Sequence, residues 1–465
     1  MKLLLAILVI VGALCVSWFW FRIEPTEAAA ASSLAQASAA RQPADDAPHV
    51  IARFALPELR LADVQNAVLP GSIESDRKFH LGSVGSDLWR GPDDKPGEFW
   101  MISYRGPNGE ITIGSQHKRI FAVPAFDPLI LHVRTHDAVI EILRTIPIVG
   151  KSGKPVSGLS NLRGHDEDPH DAGGSATDQF DINGLDTEGF VRTRDGSFWA
   201  VEEYAPSIVH ISADGVVLAR FVPQGLRYEG NDYPVTANLP AILARRAHNR
   251  GFEGAALTPD GKILWAIVQS ALANPDDKVA KQSSVTRLLA FDLAQQKPLE
   301  ERVYRFHPPA EMGAKSAGDV KCSAMCMLDP THVIVEERTE EFARLFVVDL
   351  ASGENILGSR WDDPATAPSL ETLGEAAKVA KSEAGDKTDA GWGGPKALER
   401  TLLVDLSHIE GVPPKIEGVA IVDATPLALS NDDDFNFGVL DSVGDNFGGD
   451  QKTWIVLVRL AKALR

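Results

Sequence analysis

Short apolar runs separated by turns recur along most of the chain. In the clearest copy, Glu188-Gly189 precedes an apolar run, the turn Arg194-Asp195-Gly196, a second apolar run and a polar cluster that includes Glu203. Asp-Gly between β-rich runs is typical of tight hairpins. Each copy therefore predicts two antiparallel strands with polar residues at their open end.

Five segments share this pattern. Their polar starts and polar ends are, in order, Asp87 and Arg105, Glu188 and Glu203, Glu253 and Gln269, Ser323 and Glu337, and Glu417 and Asp432. Recurring hairpins joined by long connections predict an all-β fold, a single β-propeller over residues 49–465. Five or six blades fit this length, and we expect six. An Ala-, Glu- and Lys-rich stretch, residues 369–395, is expected to be an exposed insertion.

The N-terminal region differs in character from the rest of the chain. Residues 1–22 contain an uninterrupted apolar run from Leu3 to Phe21, long for a signal-peptide core and near the minimum for a membrane span. Residues 23–48, rich in Ala, Ser and Pro, are expected to be a linker. We predict export to the periplasm or the exterior, with residues 3–21 either cleaved or kept as a membrane tether.

The charge of the chain argues against nucleic-acid binding. The 465 residues include 46 Lys and Arg against 64 Asp and Glu, a net charge of −18, and no basic patch is evident. Nucleic acid is therefore not an expected partner.

The two cysteines outside the N-terminal segment are close together in the sequence. Cys322 and Cys326 could form a disulfide in an oxidising compartment or pack as small buried residues, and the sequence leaves both open.

The polar residues of the five hairpins are expected to converge. In an antiparallel hairpin the start of the first strand lies beside the end of the second, and propeller symmetry places these ends around the central channel. Several carboxylates held together require a counter-charge, and oxygen-rich sites suit Ca²⁺. The predicted ligands are Glu188, Glu203, Glu253, Glu337, Glu417 and Asp432. The alternative is that each Glu-Gly pair merely starts a strand on a solvated rim.

Basic residues near these acids could meet a substrate anion. The candidates are Arg105, Arg250, Arg338 and Lys415. Ion pairing with the neighbouring acid is an equally good explanation for each. The acidic stretch from His165 to Asp171 is expected to be a solvated loop rather than a metal loop, because no ligand period fits it.

These motifs resemble the phytase-like family, a secreted β-propeller group named for esterase-like activity of phytase. The matching stretches are residues 85–109, 186–215, 249–261, 335–350 and 415–421. The resemblance implies hydrolysis of phosphoesters or other esters on a calcium-loaded propeller. It also implies that Glu188, Glu203, Glu253, Glu337 and Glu417 are the acids of the site. Glu202 could substitute for Glu203, and Ser430-Asn431-Asp432-Asp433-Asp434 departs from the family's Asp-Asn-Asp pattern.

The resemblance supports the first of three functions that the sequence leaves open. The first is a calcium-dependent hydrolase of a small ester or phosphoester, whose catalytic residues the sequence does not identify. The second is a non-catalytic binding propeller that uses the metal for stability. The third is a lactonase or sugar-acid hydrolase.

Overall fold

The computed structural model describes residues 47–464, except residues 114, 165, 178–179 and 376–391. The first strands are β1 (His49–Ala55), β2 (Asp87–Trp89), β3 (Glu98–Ile102), β4 (Asn108–Ile113), β5 (Gln116–Phe121), β6 (Leu129–His136) and β7 (Val139–Pro147). The second group is β8 (Thr187–Arg192), β9 (Phe198–Glu202), β10 (Ser207–Ile211), β11 (Val217–Pro223) and β12 (Val235–Leu239).

The remaining strands follow the same hairpin pattern. They are β13 (Phe252–Leu257), β14 (Ile263–Val268), β15 (Val285–Asp292), β16 (Lys297–Arg305), β17 (Lys321–Met327), β18 (His332–Arg338), β19 (Ala343–Asp349), β20 (Glu399–Asp405), β21 (Ile416–Ile421), β22 (Pro426–Asn431), β23 (Val439–Leu440), β24 (Asn446–Phe447) and β25 (Trp454–Arg459). The α-helices are α1 (Leu61–Val68), α2 (Asp277–Gln282) and α3 (Leu370–Leu373).

These strands form five blades. The orders from the centre outward are β2-β3-β6-β7, β8-β9-β10-β11-β12, β13-β14-β15-β16, β17-β18-β19-β20 and β21-β22-β25-β1. The inner strands β2, β8, β13, β17 and β21 contact one another in a closed circle. The predicted β-propeller is confirmed, with five blades in the described residues where six were expected. The residues that a sixth blade would have required instead form connections between blades and the small hairpins β4-β5 and β23-β24.

The first strand, β1, closes the fifth blade at its outer edge. β1 pairs antiparallel with β25, from His49 opposite Arg459 to Ala55 opposite Trp454. The fifth blade therefore combines both ends of the described chain, so the strand that follows the predicted linker supplies the blade's outer edge. This closure covers an edge that β25 would otherwise leave unpaired.

The core lies between neighbouring blades. Alternate residues of each strand face one neighbouring blade or the other, so both faces of each sheet are apolar. For example, Val191 and Trp199 of the second blade belong to the same buried cluster as Leu264 and Phe291 of the third. The packed interfaces fix the inner strands and therefore the polar residues at their ends.

The two cysteines and the start of the predicted insertion are both buried in the structure. Cys322 and Cys326 are buried free thiols, so the disulfide alternative does not apply. The start of the predicted insertion is not exposed, since Leu370 and Glu371 are buried and Glu371 forms an ion pair with the buried Arg287 at 3.0 Å. Residues 376–391 of that stretch lie outside the described residues.

The predicted signal or anchor segment, residues 1–22, also lies outside the described part of the chain, as do residues 23–46 of the predicted linker. Among the described residues, every helix is too short or too polar to span a bilayer.

Candidate functional site

The open ends of the hairpins surround a central cavity of about 110 Å³. Its lining residues are Tyr104, Arg105, Asn108, Arg119, Asp186, Glu188, Glu203, Asn249, Glu253, Gln269, Lys321, Arg338, Lys415, Glu417, Asp432 and Asp434. Nearly all are polar or charged, and residues from all five blades contribute. The cavity is therefore suited to a polar or charged ligand rather than to an apolar one.

Strand register explains which residues reach this cavity. Thr187 pairs with Glu202, which leaves Glu188 and Glu203 as the next residues, on strand β8 and just after strand β9. We call these the first and second ring positions. The equivalent residues are Glu253 and Gln269, Ser323 and Arg338, and Glu417 and Asp432.

Glu337 does not reach the cavity, in contrast to its predicted role. It pairs with Cys322 in the register, as Glu202 pairs with Thr187, so its side chain lies on the opposite face of the strand from Arg338. Its carboxylate accepts hydrogen bonds from Tyr304 Oη at 2.7 Å and from the backbone N–H of His307 at 2.9 Å, and it forms an ion pair with Arg400 at 3.2 Å.

The spacing of residues in the sequence already indicated that Glu337 does not occupy a ring position. Glu203 follows Glu188 by fifteen residues, and Asp432 follows Glu417 by fifteen, whereas Glu337 follows Ser323 by only fourteen. The ring positions of the second, third and fifth blades are fifteen or sixteen residues apart, a spacing that reaches Arg338 but not Glu337 in the fourth blade. Glu202 is likewise excluded from the cavity, because it forms a fully buried ion pair with Arg220 at 3.1 Å.

Three buried acids form a group that could hold a metal ion. One carboxylate oxygen each from Asp186, Glu188 and Glu203 lies within 4.8 Å of the others. Asp186, which sequence reasoning missed, precedes Glu188 by two residues at the start of the same blade. Its position relative to the ring is the one that Lys415 holds in the fifth blade, so the repeat pattern could have identified it.

The electrostatics of this group indicate a shortage of positive charge. Burial raises the pKa of Glu188 well above its usual value, and the charges of Glu253, Asp186 and Glu203 raise it further. Burial and the charge of Glu253 also raise the pKa of Glu203 well above its usual value. Glu203 Oε1 and Glu253 Oε2 are buried and accept no hydrogen bond from the described residues, and Asp186 Oδ2 is contacted by Arg105 Nη1 in an ion pair at 3.3 Å. A cation with oxygen ligands would satisfy these atoms.

Each of the other predicted acids that line the cavity has at least one hydrogen-bond or ion-pair partner. Glu253 accepts hydrogen bonds from Gln269 Nε2 at 2.5 Å and from Ser323 Oγ at 3.3 Å. Glu417 is bound by Arg338. Asp432 accepts from Ser83 Oγ at 2.5 Å and from Lys415 Nζ at 2.6 Å.

Glycine at the residue after each of three acids allows the inner strands to approach closely. A Cβ atom at Gly189 would lie 2.4 Å from the carbonyl oxygen of Glu253, and one at Gly418 would lie 2.6 Å from the backbone nitrogen of Leu88. Real Cβ atoms do not approach so closely. The Glu-Gly repeat therefore combines a side chain for the cavity with a residue that permits strand contact.

The predicted basic residues differ in the partners that hold their side chains. Arg105 is 3% exposed, forms an ion pair with Asp186 at 3.3 Å and stacks on Phe121 and Tyr204. Lys415 is bound by two acids, Asp432 and Asp434.

Arg338 donates to Ser323 Oγ at 2.8 Å and binds Glu417. Arg250 lies beside the cavity lining and donates to Gln269 Oε1 at 2.9 Å. Lys321, which sequence reasoning also missed, lines the cavity two residues before Ser323.

Comparison with known proteins identifies the family of this chain. Residues 92–435 match the family model described as "Phytase-like: Esterase-like activity of phytase". The chain belongs to this phytase-like family. The matched segment contains every ring position from Glu188 to Asp432.

A curated relative of this phytase-like chain is an "Uncharacterized secreted protein" of Arthroderma benhamiae. The two are 26% identical over an alignment of 257 residues, which covers 47% of this chain and 50% of the relative. The chain thus spans about half the length of the curated relative it matches.

Solved propeller structures are more distant. A luciferin-regenerating enzyme is 10% identical, with a TM-score of 0.35 and coverage of 83% of this chain and 94% of the other. A periplasmic gluconolactonase of Pseudomonas aeruginosa is 11% identical, with a TM-score of 0.30 and coverage of 84% and 90%. At these TM-scores, the blade assignment rests on the strand pairing described above.

Proposed function

We propose that this phytase-like protein is an exported hydrolase that cleaves an ester or phosphoester bond of a small molecule in the central cavity, with Ca²⁺ bound by Asp186, Glu188 and Glu203. The observation that carries the proposal is the approach of three buried carboxylates to within 4.8 Å of one another. Ca²⁺ prefers carboxylate oxygens in flexible geometry. The family description, which names an esterase-like activity, supports ester chemistry.

When bound, Ca²⁺ would supply Lewis-acid polarisation of the substrate oxygen and a lowered pKa for a coordinated water. The chain's own contribution is to hold the three acids in fixed positions on the inner edge of one blade. Glu253 is our candidate for the proton acceptor. Gln269 fixes its Oε1 atom, while its Oε2 atom lies buried without a hydrogen-bond donor among the described residues.

The proposed location rests on two independent observations. The apolar run from Leu3 to Phe21 is typical of an export segment. The relative from Arthroderma benhamiae carries the name of a secreted protein. Whether residues 3–21 are removed or retained as a membrane tether stays a prediction.

The test measures metal content, melting and turnover on one preparation. We expect bound calcium, a reversible fall in Tm with EDTA, and hydrolysis of a phosphoester or carboxylic ester that returns with Ca²⁺. Glu188→Gln should abolish both the metal and the turnover. Glu399→Gln is the matched control, because Glu399 is 67% exposed on strand β20, away from the cavity.

The other outcomes select between the alternatives. Bound calcium without turnover of any phosphoester, carboxylic ester or lactone would favour a metal-stabilised binding propeller. Turnover of lactones alone would favour the lactonase function. Absence of bound metal together with an unchanged Tm in EDTA would eliminate the calcium mechanism.

A further inference from the structure

A second cavity, of about 70 Å³, lies where β1 and β22 end and β25 begins in the fifth blade. Its apolar walls include Leu56, Leu81 and Phe435, and its polar lining includes Asp433 and Thr453. It shares no lining residue with the central cavity. We call it the outer cavity, and its residues have no part in the function proposed above.

Asp433 is a buried carboxylate without a basic partner. It is 4% exposed, and its Oδ1 atom accepts a hydrogen bond from the backbone N–H of Ser83 at 2.6 Å. Its sequence neighbours Asp432 and Asp434 both form ion pairs with Lys415. No ion pair among the described residues involves Asp433. A buried charge is costly unless it is paired, so a cationic ligand in the outer cavity would stabilise this carboxylate.

Thr453 adds a second polar atom whose bonding is incomplete. The residue is 1% exposed, and its Oγ1 atom makes no well-formed hydrogen bond with the described residues. The hydroxyl lies near enough to Asp433 to lower the pKa of that carboxyl. Buried hydroxyls are normally hydrogen-bonded, so an unsatisfied one in the wall of a cavity indicates a ligand.

The lining favours an ammonium group over a metal ion. Ca²⁺ takes about six to eight oxygen ligands. Asp433 is the one buried carboxylate among the described lining residues, since Glu58 and Asp450 are exposed and Glu58 is paired with Lys452 at 3.0 Å. An ammonium group donates about three hydrogen bonds. Its carbon chain would contact the apolar walls, as the stem of a lysine side chain does.

The outer cavity is connected to the central cavity by the loop that follows β22. Asp432 and Asp434 line the central cavity, whereas Asp433 and Phe435 line the outer one. The ring of Phe435 packs edge-on against Tyr104 of the central cavity, with 5.5 Å between the ring centroids. A ligand in the outer cavity would therefore stabilise the loop that positions two acids of the central cavity.

We propose that the outer cavity binds a primary ammonium group carried on a short aliphatic chain. Asp433 would form the ion pair, and Thr453 Oγ1 would accept a hydrogen bond from the same nitrogen. A small free amine and the lysine side chain of a partner protein both present this chemistry. The proposal does not depend on hydrolysis or on calcium in the central cavity.

Calorimetric titration of the full chain with n-butylamine tests the proposal. It should be done at about pH 7, where a primary alkyl amine is protonated, with Ca²⁺ present to compete for the acids of the central cavity. We expect saturable binding that Asp433→Asn weakens about tenfold or more and Thr453→Val about fivefold. Asp423→Asn is the matched control, because Asp423 is exposed on the turn between β21 and β22. Circular dichroism melting checks that each variant folds.

Two further ligands examine the wild type without any substitution. n-Butanol has the same carbon chain without the charge and should bind at least about tenfold more weakly. Nα-acetyl-lysine amide separates the two sources of the ammonium group. Binding as tight as that of n-butylamine would indicate the lysine side chain of a partner, and weaker binding would indicate a free amine. Both results support the ammonium site.

Other outcomes would overturn the proposal. Loss of n-butylamine binding in Glu188→Gln, with Asp433→Asn unchanged, would place the amine on the acids of the central cavity. Displacement of n-butylamine by Ca²⁺ in both the wild type and Glu188→Gln would identify the outer cavity as a metal site. Equal binding of n-butanol and n-butylamine would show that no ion pair forms. If Asp433→Asn does not fold, Thr453→Val and the n-butanol comparison decide. None of these readouts involves turnover, so failure here leaves the proposed hydrolase intact.

Discussion

Arg338 donates a hydrogen bond from Nε to Ser323 Oγ at 2.8 Å, so a cation and a hydroxyl occupy the two ring positions of the fourth blade. In the second blade, the same two positions hold Glu188 and Glu203. The repeat therefore builds a cavity with an acidic side and a basic side from one hairpin geometry. Under the proposed function, the acidic side would hold the cation and the basic side would face an anionic substrate.

Glu188→Gln should alter stability in opposite directions with and without metal. Because Glu188 is buried beside other acids that raise its pKa, the neutral amide relieves repulsion in the metal-free protein. We expect its Tm in EDTA to rise by about 2 °C or more, and the increase that Ca²⁺ causes in the wild type to disappear. Differential scanning calorimetry measures both effects. A variant that keeps the Ca²⁺-dependent increase would show that Glu188 is not a ligand.

Glu337→Gln should destabilise the fold without changing calcium affinity. The buried carboxylate compensates Arg400, which is 5% exposed, and breaking a buried ion pair costs about 3 kcal/mol. Urea unfolding and a Ca²⁺ titration measure the two properties separately. Glu399→Gln on the same blade is the control for both. If Glu337→Gln instead lost calcium while keeping wild-type stability, Glu337 would belong to the metal site.

Asp127→Asn should change how stability depends on pH. Burial, with help from Asp181, raises the pKa of Asp127 to about 8. The folded state therefore holds a proton that the unfolded state releases above its ordinary pKa of about 4. Stability from this group is complete below about pH 4 and is lost as the pH rises towards 8, by about 1.4 kcal/mol per unit.

The measurement for Asp127 is the difference in unfolding free energy between the variant and the wild type. This difference should be near zero at pH 4 and should increasingly favour the Asp127→Asn variant up to pH 8. Asp137→Asn is the control, since the Asp137 side chain is 96% exposed. A difference that stays constant across this range would mean that Asp127 is ionised in the folded protein.

Gly189→Ala should disrupt the contact between the second and third blades. The added Cβ would meet the carbonyl oxygen of Glu253 at 2.4 Å, and backbone on both sides prevents relief by a side-chain rotation. We expect a loss of about 3 kcal/mol or more in unfolding free energy. Gly393→Ala, where a Cβ meets no atom within 4 Å, should be nearly neutral. Equal stability of the two variants would contradict the close approach of the inner strands.

The sequence determined the features that depend on near neighbours. Alternation of apolar and polar residues, together with Asp-Gly turns, is enough to define hairpins, because strand period and turn conformation are local properties. The recurrence of Glu-Gly at residues 188, 253 and 417 placed these acids at equivalent positions, and the structure brings all three to one cavity. The family resemblance rested on the same residues.

Only the tertiary structure decided which neighbouring side chain faces the cavity. Glu337 and Arg338 are adjacent in sequence, but successive residues of a strand point to opposite faces, so a register difference of one residue exchanges a carboxylate for a guanidinium. The participation of Asp186 and Lys321 depends on how five separate hairpins meet. Completion of the fifth blade likewise depends on β1 pairing with β25, a contact between segments far apart along the chain that no local pattern encodes.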